Sequence, residues 1–138
     1  DIYWNHKKIC GILLETHRYK PAVLIIGFGI NINVPQNTFP KEIQTKASST
    51  LIESGLRLPL DKLLRSIIEY FEESIDCNQA ELHEQYLSHL YRKGSTVQID
   101  SVQGIFQSVT PEGCAVIETP AELKHVISGT MHFTGQVR

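Results

Sequence analysis

The stretch Leu24–Val34, LIIGFGININV, restricts the fold more than any other part of the chain, because it sets strand-weakening residues into a strand pattern. Side chains alternate across a strand, so Gly27 and Gly29 share one face with Asn31 and Asn33. The opposite face is apolar throughout and predicts a core. Glycine inside a strand is typical of a bulge, of a close strand-to-helix approach, or of a surface that a flat ligand lies against. The pattern alone leaves these three explanations open.

Composition sets the class of protein within broad limits. The 138 residues suit one ordinary domain or two small ones, and 41% hydrophobic with 20% charged residues predicts a real core. A formal net charge of -2 gives no reason to expect nucleic acid as a main partner. No apolar run reaches the roughly 20 residues that a membrane span needs. The 3 cysteines are dispersed and lack metal-ligand spacing, which favours a reducing, intracellular setting.

The periodicity changes twice along the chain and predicts an α+β fold. The polar connections between the first strands are short, which favours an antiparallel meander. The helices follow the 3.6-residue period, and closely spaced short strands then predict a small barrel. We expect strands over 1–4, 7–15 and 22–34, helices over 48–56, 59–76 and 78–94, and strands over 95–100, 102–110, 114–119 and 123–128. Gly94 is the expected end of the last helix, and the predicted domain boundary lies near Lys93.

Several common kinds of site are excluded by their missing motifs. The segment GFGINI lacks the third glycine of a dinucleotide fingerprint and continues as a strand, so a Rossmann site fails on context. Neither a GxSxG elbow nor a phosphate loop is present. What remains is Lys8 ahead of Gly11, together with the glycine face of the third strand. A lysine can hold a carboxylate or phosphate oxygen, although a solvated turn lysine would look the same in sequence.

Two motifs in this order carry a resemblance to a known family. DIYWNHKKICGILLE at 1–15, followed by LIIGFGININVP at 24–35, resembles the central catalytic segment of the biotin protein ligases. The match continues in pattern to about residue 134. That family joins biotin to ATP and passes the biotinyl group to a lysine of a carrier domain. The resemblance implies part of a class II synthetase-like mixed or antiparallel sheet with helices over 1–93, then an SH3-like β-barrel over 94–138.

The resemblance also implies roles for particular residues. Lys8 would be the catalytic residue that contacts the biotin carboxyl group and the acyl-phosphate formed from it. The implied biotin-binding residues are Lys8, Gly11, Ile12, Leu13, Gly27 and Gly29. Asp1 and Asn31 would lie by the phosphate of ATP or the adenylate and its Mg²⁺, since magnesium takes oxygen ligands.

One geometric conflict accompanies these roles. On an ideal strand Lys8 and Gly11 lie on opposite faces, because they are an odd number of residues apart. If both serve one ligand, then either Lys8 comes from the turn or the strand is bulged.

Partners and setting follow from the same resemblance. It implies a biotin carboxyl carrier domain of a biotin-dependent carboxylase as the partner, allows a homodimer, and places the protein in the cytoplasm without a membrane partner. Because the upstream half of the catalytic domain, with its Gly/Arg-rich biotin loop, has no counterpart here, we expect this piece alone to be inactive. Two alternatives stay open: a lipoate ligase-like acyl-adenylate enzyme, and a non-catalytic binding or regulatory module that keeps the pocket.

Overall fold

The computed structural model describes residues 1–17 and 23–134 and has the mixed α+β composition that the sequence predicts. Its elements in chain order are β1 (Ile2–Trp4), β2 (Lys7–His17), β3 (Val23–Ile30), a 3-10 turn (Gln36–Thr38), α1 (Thr50–Ser54), α2 (Leu60–Asp76), α3 (Gln79–Ser88), β4 (Thr96–Ile99), β5 (Val102–Val109), β6 (Ala115–Glu118), β7 (Leu123–Val126) and β8 (Met131–Phe133). No helix among the described residues is long and apolar enough to cross a membrane.

The chain divides into two compact units, Asp1–Tyr70 and Phe71–Arg138. The division falls within α2, whose 17 residues have the apolar period expected of an amphipathic helix. The first unit holds a three-stranded sheet in the order β1-β2-β3, and the second holds a five-stranded sheet in the order β7-β6-β5-β4-β8. The domain boundary between residues 93 and 94 stays a prediction.

The first sheet is an antiparallel meander, as the short connections predict. β2 and β3 pair in one unbroken register, from Cys10 opposite Ile30 to His17 opposite Val23. The prediction that the third strand continues to residue 34 is wrong, because β3 ends at Ile30. Beyond β3, the Asn31 carbonyl accepts a hydrogen bond from the amide of Thr50, at the start of α1, at 3.0 Å.

The helix ends correct one capping prediction. α1 is capped by Ser49, whose side chain accepts a hydrogen bond from the Ile52 amide, and it ends at Gly55 with φ +72°. The third predicted helix is too long: α3 ends at Ser88, and Gly94 is not its cap. Gly94 (φ +82°) instead donates its amide to Phe106 O at 2.7 Å, so this glycine already belongs to the turn that leads into the second sheet.

The second sheet contains all four of its predicted strands and one that sequence reasoning missed. β8 adds to the free edge of β4, with Phe133 opposite Val97. All pairings are antiparallel, and among the described residues none joins β7 to β8, so the sheet stays open. The buried core of this unit consists of Val97, Ile99, Phe106 and Ile117. Closely spaced antiparallel strands around one small core are the features expected of an SH3-like domain.

Gly104 in β5 gives a test of how tightly this unit packs. A Cβ at Gly104 would overlap the carbonyl oxygen of Glu118 and lie 2.8 Å from Ile117 Cγ2. We expect Gly104→Ala to lower the free energy of unfolding by about 2–3 kcal/mol, since strand backbone must shift to admit the methyl group. Chemical denaturation measures this, with the exposed neighbour Gln103→Ala as control. A loss below about 0.5 kcal/mol, the usual range for surface changes, would show that the strands are not held this closely.

Candidate functional site

A bulge between β1 and β2 decides where Lys8 points. Ile2 lies opposite Cys10, but the next residue, Tyr3, lies opposite Lys8, so β2 carries one extra residue, Ile9, at this point. The consecutive side chains of Ile9 and Cys10 are both buried (8% and 2% exposed), which regular alternation would not allow. Because of this extra residue, the side chain of Lys8 and the side-chain position of Gly11 lie on the same face of the sheet. The geometric conflict found in the sequence is therefore resolved by a bulged strand.

The bulge brings the Lys8 side chain over Gly11. A Cβ built on Gly11 would lie 3.6 Å from Lys8 Nζ and 3.8 Å from Asp1 Oδ1. Lys8 Nζ itself forms an ion pair with Asp1 Oδ1 at 2.8 Å, and both side chains are about two-fifths exposed (43% and 40%). An exposed pair of this kind contributes only about 0–1 kcal/mol to stability. The Lys8 ammonium is therefore paired with Asp1 but still accessible from solvent, and it carries three hydrogen-bond donors.

Next to this lysine lies a patch of bare main chain. Gly11 and Gly29 are directly opposite each other in the β2–β3 ladder, and Gly27 lies opposite Leu13. A Cβ at Gly29 would meet no atom of the described residues within 4 Å, and one at Gly27 would meet only Leu13 O, at 3.8 Å. Neither glycine has a left-handed φ, and the ladder has no bulge here. Within the described residues, the bulge and close-approach explanations for these two glycines therefore fail, and the ligand explanation remains.

Ile12 is separated from the other predicted pocket residues. It lies opposite Phe28 in the ladder, so its side chain is on the other face of the sheet from Gly11 and Leu13. On the glycine face Ile12 can contribute only main-chain atoms.

The two asparagines after β3 do not extend the glycine face. Asn33 is used for folding: its Nδ2 donates to Leu58 O (2.8 Å) and its Oδ1 accepts from the Leu58 amide (2.9 Å). The side-chain Nδ2 of Asn31 donates to Ser48 O at 3.1 Å, and the main-chain amide of Asn31 donates to Ile9 O at 2.8 Å. Placing both asparagines on one strand face with the glycines was wrong, because the strand ends before them.

Ser48 connects the two ends of this site, and sequence reasoning missed it. This fully buried residue donates its amide to Lys8 O (2.9 Å), accepts from Asn31 Nδ2 through its carbonyl, and donates its hydroxyl to the Glu53 carboxylate. Ser49 and Thr50 next to it fix the same segment to the chain after β3, through Val34 O (2.6 Å) and Ile32 O (2.7 Å). The signal in the sequence is the run of small hydroxyl residues at 48–50 just before a helix.

The carboxylate of Glu53 is stabilised in its charged form. The hydrogen bond from Ser48 lowers the pKa of Glu53, desolvation opposes that effect, and a hydrogen bond from Asn5 Nδ2 (2.6 Å) lowers the pKa further. Burial raises the pKa of the Cys10 thiol, so this cysteine behind the sheet is held as a neutral thiol. Among the described residues no group of three or more His, Cys, Asp or Glu side chains is placed to hold a metal ion.

Comparisons with known proteins bear on the chain as a whole. No protein-family model matches the chain. The bifunctional ligase/repressor BirA proteins of Bacillus subtilis and Bacillus spizizenii are each 26% identical to it over 146 aligned residues, covering 93% of the chain. A crystal structure of the biotin protein ligase of Aquifex aeolicus is 26% identical and superposes with a TM-score of 0.79, covering 96% of the chain. The chain is related to the biotin protein ligases.

The relationship covers only part of each relative. The chain spans 42% of the length of the BirA proteins and 62% of the Aquifex aeolicus ligase. The complex of that Aquifex aeolicus ligase with biotin and ATP shares the fold of the chain, with a TM-score of 0.82 at 24% identity over 97% of the chain. The resemblance that the two sequence motifs indicated is thus confirmed as a relationship to biotin protein ligases, and the roles of single residues stay predictions.

Proposed function

We propose that the natural gene product containing this chain is a biotin protein ligase, which uses ATP to attach biotin to a lysine of a biotin carboxyl carrier domain. The observation that carries the proposal is the Lys8 ammonium placed over Gly11, beside the bare main chain of Gly29. The names of the related proteins support it, since they include ligases and a complex with biotin and ATP.

The proposed reaction has two steps. First, a carboxylate oxygen of biotin attacks the α-phosphorus of ATP, so that biotinyl-adenylate forms and pyrophosphate leaves. Then the amine of the carrier lysine attacks the biotinyl carbonyl, an amide bond forms, and AMP leaves. Lys8 would bind the biotin carboxylate and then the negative charge that develops on the acyl-phosphate. A fixed cation directed at developing charge is among the largest contributions a site can make to rate.

The glycine face would receive the ring system of biotin. Without side chains at Gly11, Gly27 and Gly29, a flat ligand can lie against the sheet while Leu13 contacts its edge. Ile12 would take part through its main chain. A second acyl-adenylate chemistry, lipoate activation, has no observation of its own in its favour.

Asp1 and Asn31 are the residues we assign to ATP and Mg²⁺. The donor set fits, because one carboxylate that is 40% exposed and one amide oxygen are the oxygen ligands that Mg²⁺ accepts alongside substrate phosphates. When bound, the cation would neutralise phosphate charge. The Asp1–Lys8 ion pair would keep the carboxylate and the ammonium near the same reacting atoms.

Partner and setting are part of the same proposal. The acceptor would be the carrier domain of a biotin-dependent carboxylase, and the enzyme would work in the cytoplasm. The test is biotin-dependent exchange of pyrophosphate into ATP by the natural gene product, run in parallel with lipoate. Exchange with biotin alone supports the proposal. Exchange with lipoate alone, or no exchange with either acid, contradicts it.

The 138-residue chain on its own should bind biotin with a dissociation constant of about 1 mM or weaker. Ligand sites normally enclose most of a ligand, whereas here Leu13 is 63% exposed and the space above Gly29 is empty of described atoms. Calorimetry measures this, and the Lys8→Ala chain shows whether any weak heat comes from the proposed site. Micromolar binding by the chain alone would mean that its own residues enclose the ligand.

A further inference from the structure

We infer that Glu53 is a positioning residue for Lys8, acting through the turn before Lys8 and through the segment that binds its main chain. The inference rests on the proposed function, since it concerns the lysine assigned to biotin. It names a residue that does not itself line the glycine face.

The turn between β1 and β2 needs support from outside. Its two central residues, Asn5 (φ +47°) and His6 (φ +64°), both have left-handed backbone conformations, the pattern of a type I′ hairpin turn. Asparagine tolerates this conformation, but histidine at the second position costs about 1–2 kcal/mol relative to glycine. Such a turn keeps its shape only where surrounding contacts hold it. Glu53 supplies one, because its Oε2 accepts from Asn5 Nδ2 at 2.6 Å.

The other carboxylate oxygen of Glu53 holds the second support of Lys8. Oε1 accepts the hydroxyl of the fully buried Ser48. Both main-chain polar groups of Lys8 are hydrogen-bonded to the segment that contains Ser48. The Lys8 amide donates to Lys46 O (2.8 Å), and the Ser48 amide donates to Lys8 O (2.9 Å). One carboxylate therefore ties the turn that precedes Lys8 to the segment that runs beside it.

The position of Glu53 is itself well defined. It lies within α1, a helix that is capped by Ser49 at its start and by Gly55 at its end. Ser49 and Thr50 bond that helix to the chain after β3. Because the Ser48 carbonyl also accepts from Asn31 Nδ2, the same group fixes the relative position of Lys8 and Asn31. A short, doubly capped helix with both carboxylate oxygens in use is suited to positioning rather than to contact with substrate.

The matched variants exploit the fact that Glu53 accepts two hydrogen bonds and Asn5 donates one. Glu53→Gln leaves one oxygen and turns the other acceptor into a donor, which then faces the donor of Asn5. Combining it with Asn5→Asp exchanges donor and acceptor, so the new amide donates to the new carboxylate and Ser48 keeps its acceptor. Asn5→Asp alone brings two carboxylates together and serves as the unfavourable single change. Glu42→Gln, at an exposed carboxylate in the same unit, is the control.

The readouts are the KM for biotin and the kcat of pyrophosphate exchange in the natural gene product, together with hydrogen exchange at the Lys8 amide. We expect Glu53→Gln to raise the KM about tenfold, from the loss of one charge-assisted hydrogen bond, and to speed exchange of the Lys8 amide. The double variant should restore both readouts to within about threefold, and Glu42→Gln should change neither. A role in stability alone would instead lower kcat per total protein without raising the KM.

Two results would overturn the inference: an unchanged KM and amide exchange in Glu53→Gln, or a double variant no better than the single ones. If the unmodified protein shows no biotin-dependent exchange, the proposed function fails by itself. The hydrogen exchange of the Lys8 amide then still decides whether Glu53 positions Lys8.

Discussion

Replacing Lys8 with alanine in the natural gene product is expected to lower the rate of biotinyl-adenylate formation about a hundredfold or more. Lys8 Nζ is the cation placed over Gly11, and removing one donor aimed at developing negative charge typically has an effect of this size. Folding should be nearly unaffected, because the Asp1–Lys8 ion pair is exposed and contributes little to stability. The change in rate should therefore far exceed the change in thermal midpoint.

The measurement is pyrophosphate exchange together with thermal unfolding of the same protein. Lys7→Ala is the control, since it removes the same charge one residue earlier on β2, opposite Trp4 rather than beside the bulge. We expect the Lys7 variant to keep its rate within about threefold, because a partly exposed lysine changes the potential at the site only slightly. Equal losses in the two variants would mean that general positive charge, and not the position of Lys8, determines the rate.

How far the sequence predicts this site depends on whether each signal is local. The glycine face was predictable, because alternation along one strand is a local rule and Gly27 and Gly29 obey it in an unbroken ladder. The side of the sheet on which Lys8 lies was left open, because the bulge at Ile9 arises from pairing with another strand. Strand pairing and burial of two consecutive side chains cannot be read from one strand's own pattern.

The errors at element ends have a related cause. The strand pattern continues through Ile30 to Val34, but the hydroxyls of Ser49 and Thr50 take the carbonyls of that segment and end the sheet. These partners lie 15 and 18 residues away along the chain, beyond the reach of periodicity. Ser48 and Glu53 were missed for the same reason: their importance lies in which distant groups they bond.

The last prediction concerns Gly29, where an added methyl group should harm ligand binding and spare the fold. We expect Gly29→Ala in the natural gene product to weaken biotin binding about tenfold or more, because the Cβ would stand where the ring system lies on the sheet. The free energy of unfolding should stay equal or rise by about 0.4–1 kcal/mol, since φ at Gly29 is not left-handed and alanine restricts the unfolded chain.

Gly104→Ala provides the matched contrast, because the same methyl group there overlaps the backbone of Glu118 instead of open space. That variant should lose stability, while the part of the protein that stays folded keeps its affinity for biotin. Calorimetric affinity and chemical denaturation, measured on both variants, separate the two effects. A Gly29→Ala protein that is less stable but binds biotin with unchanged affinity per folded molecule would refute the ligand explanation for the glycine face. A Gly29→Ala protein that keeps its stability but binds biotin more weakly would show that this strand lacks a side chain at Gly29 in order to admit the ligand.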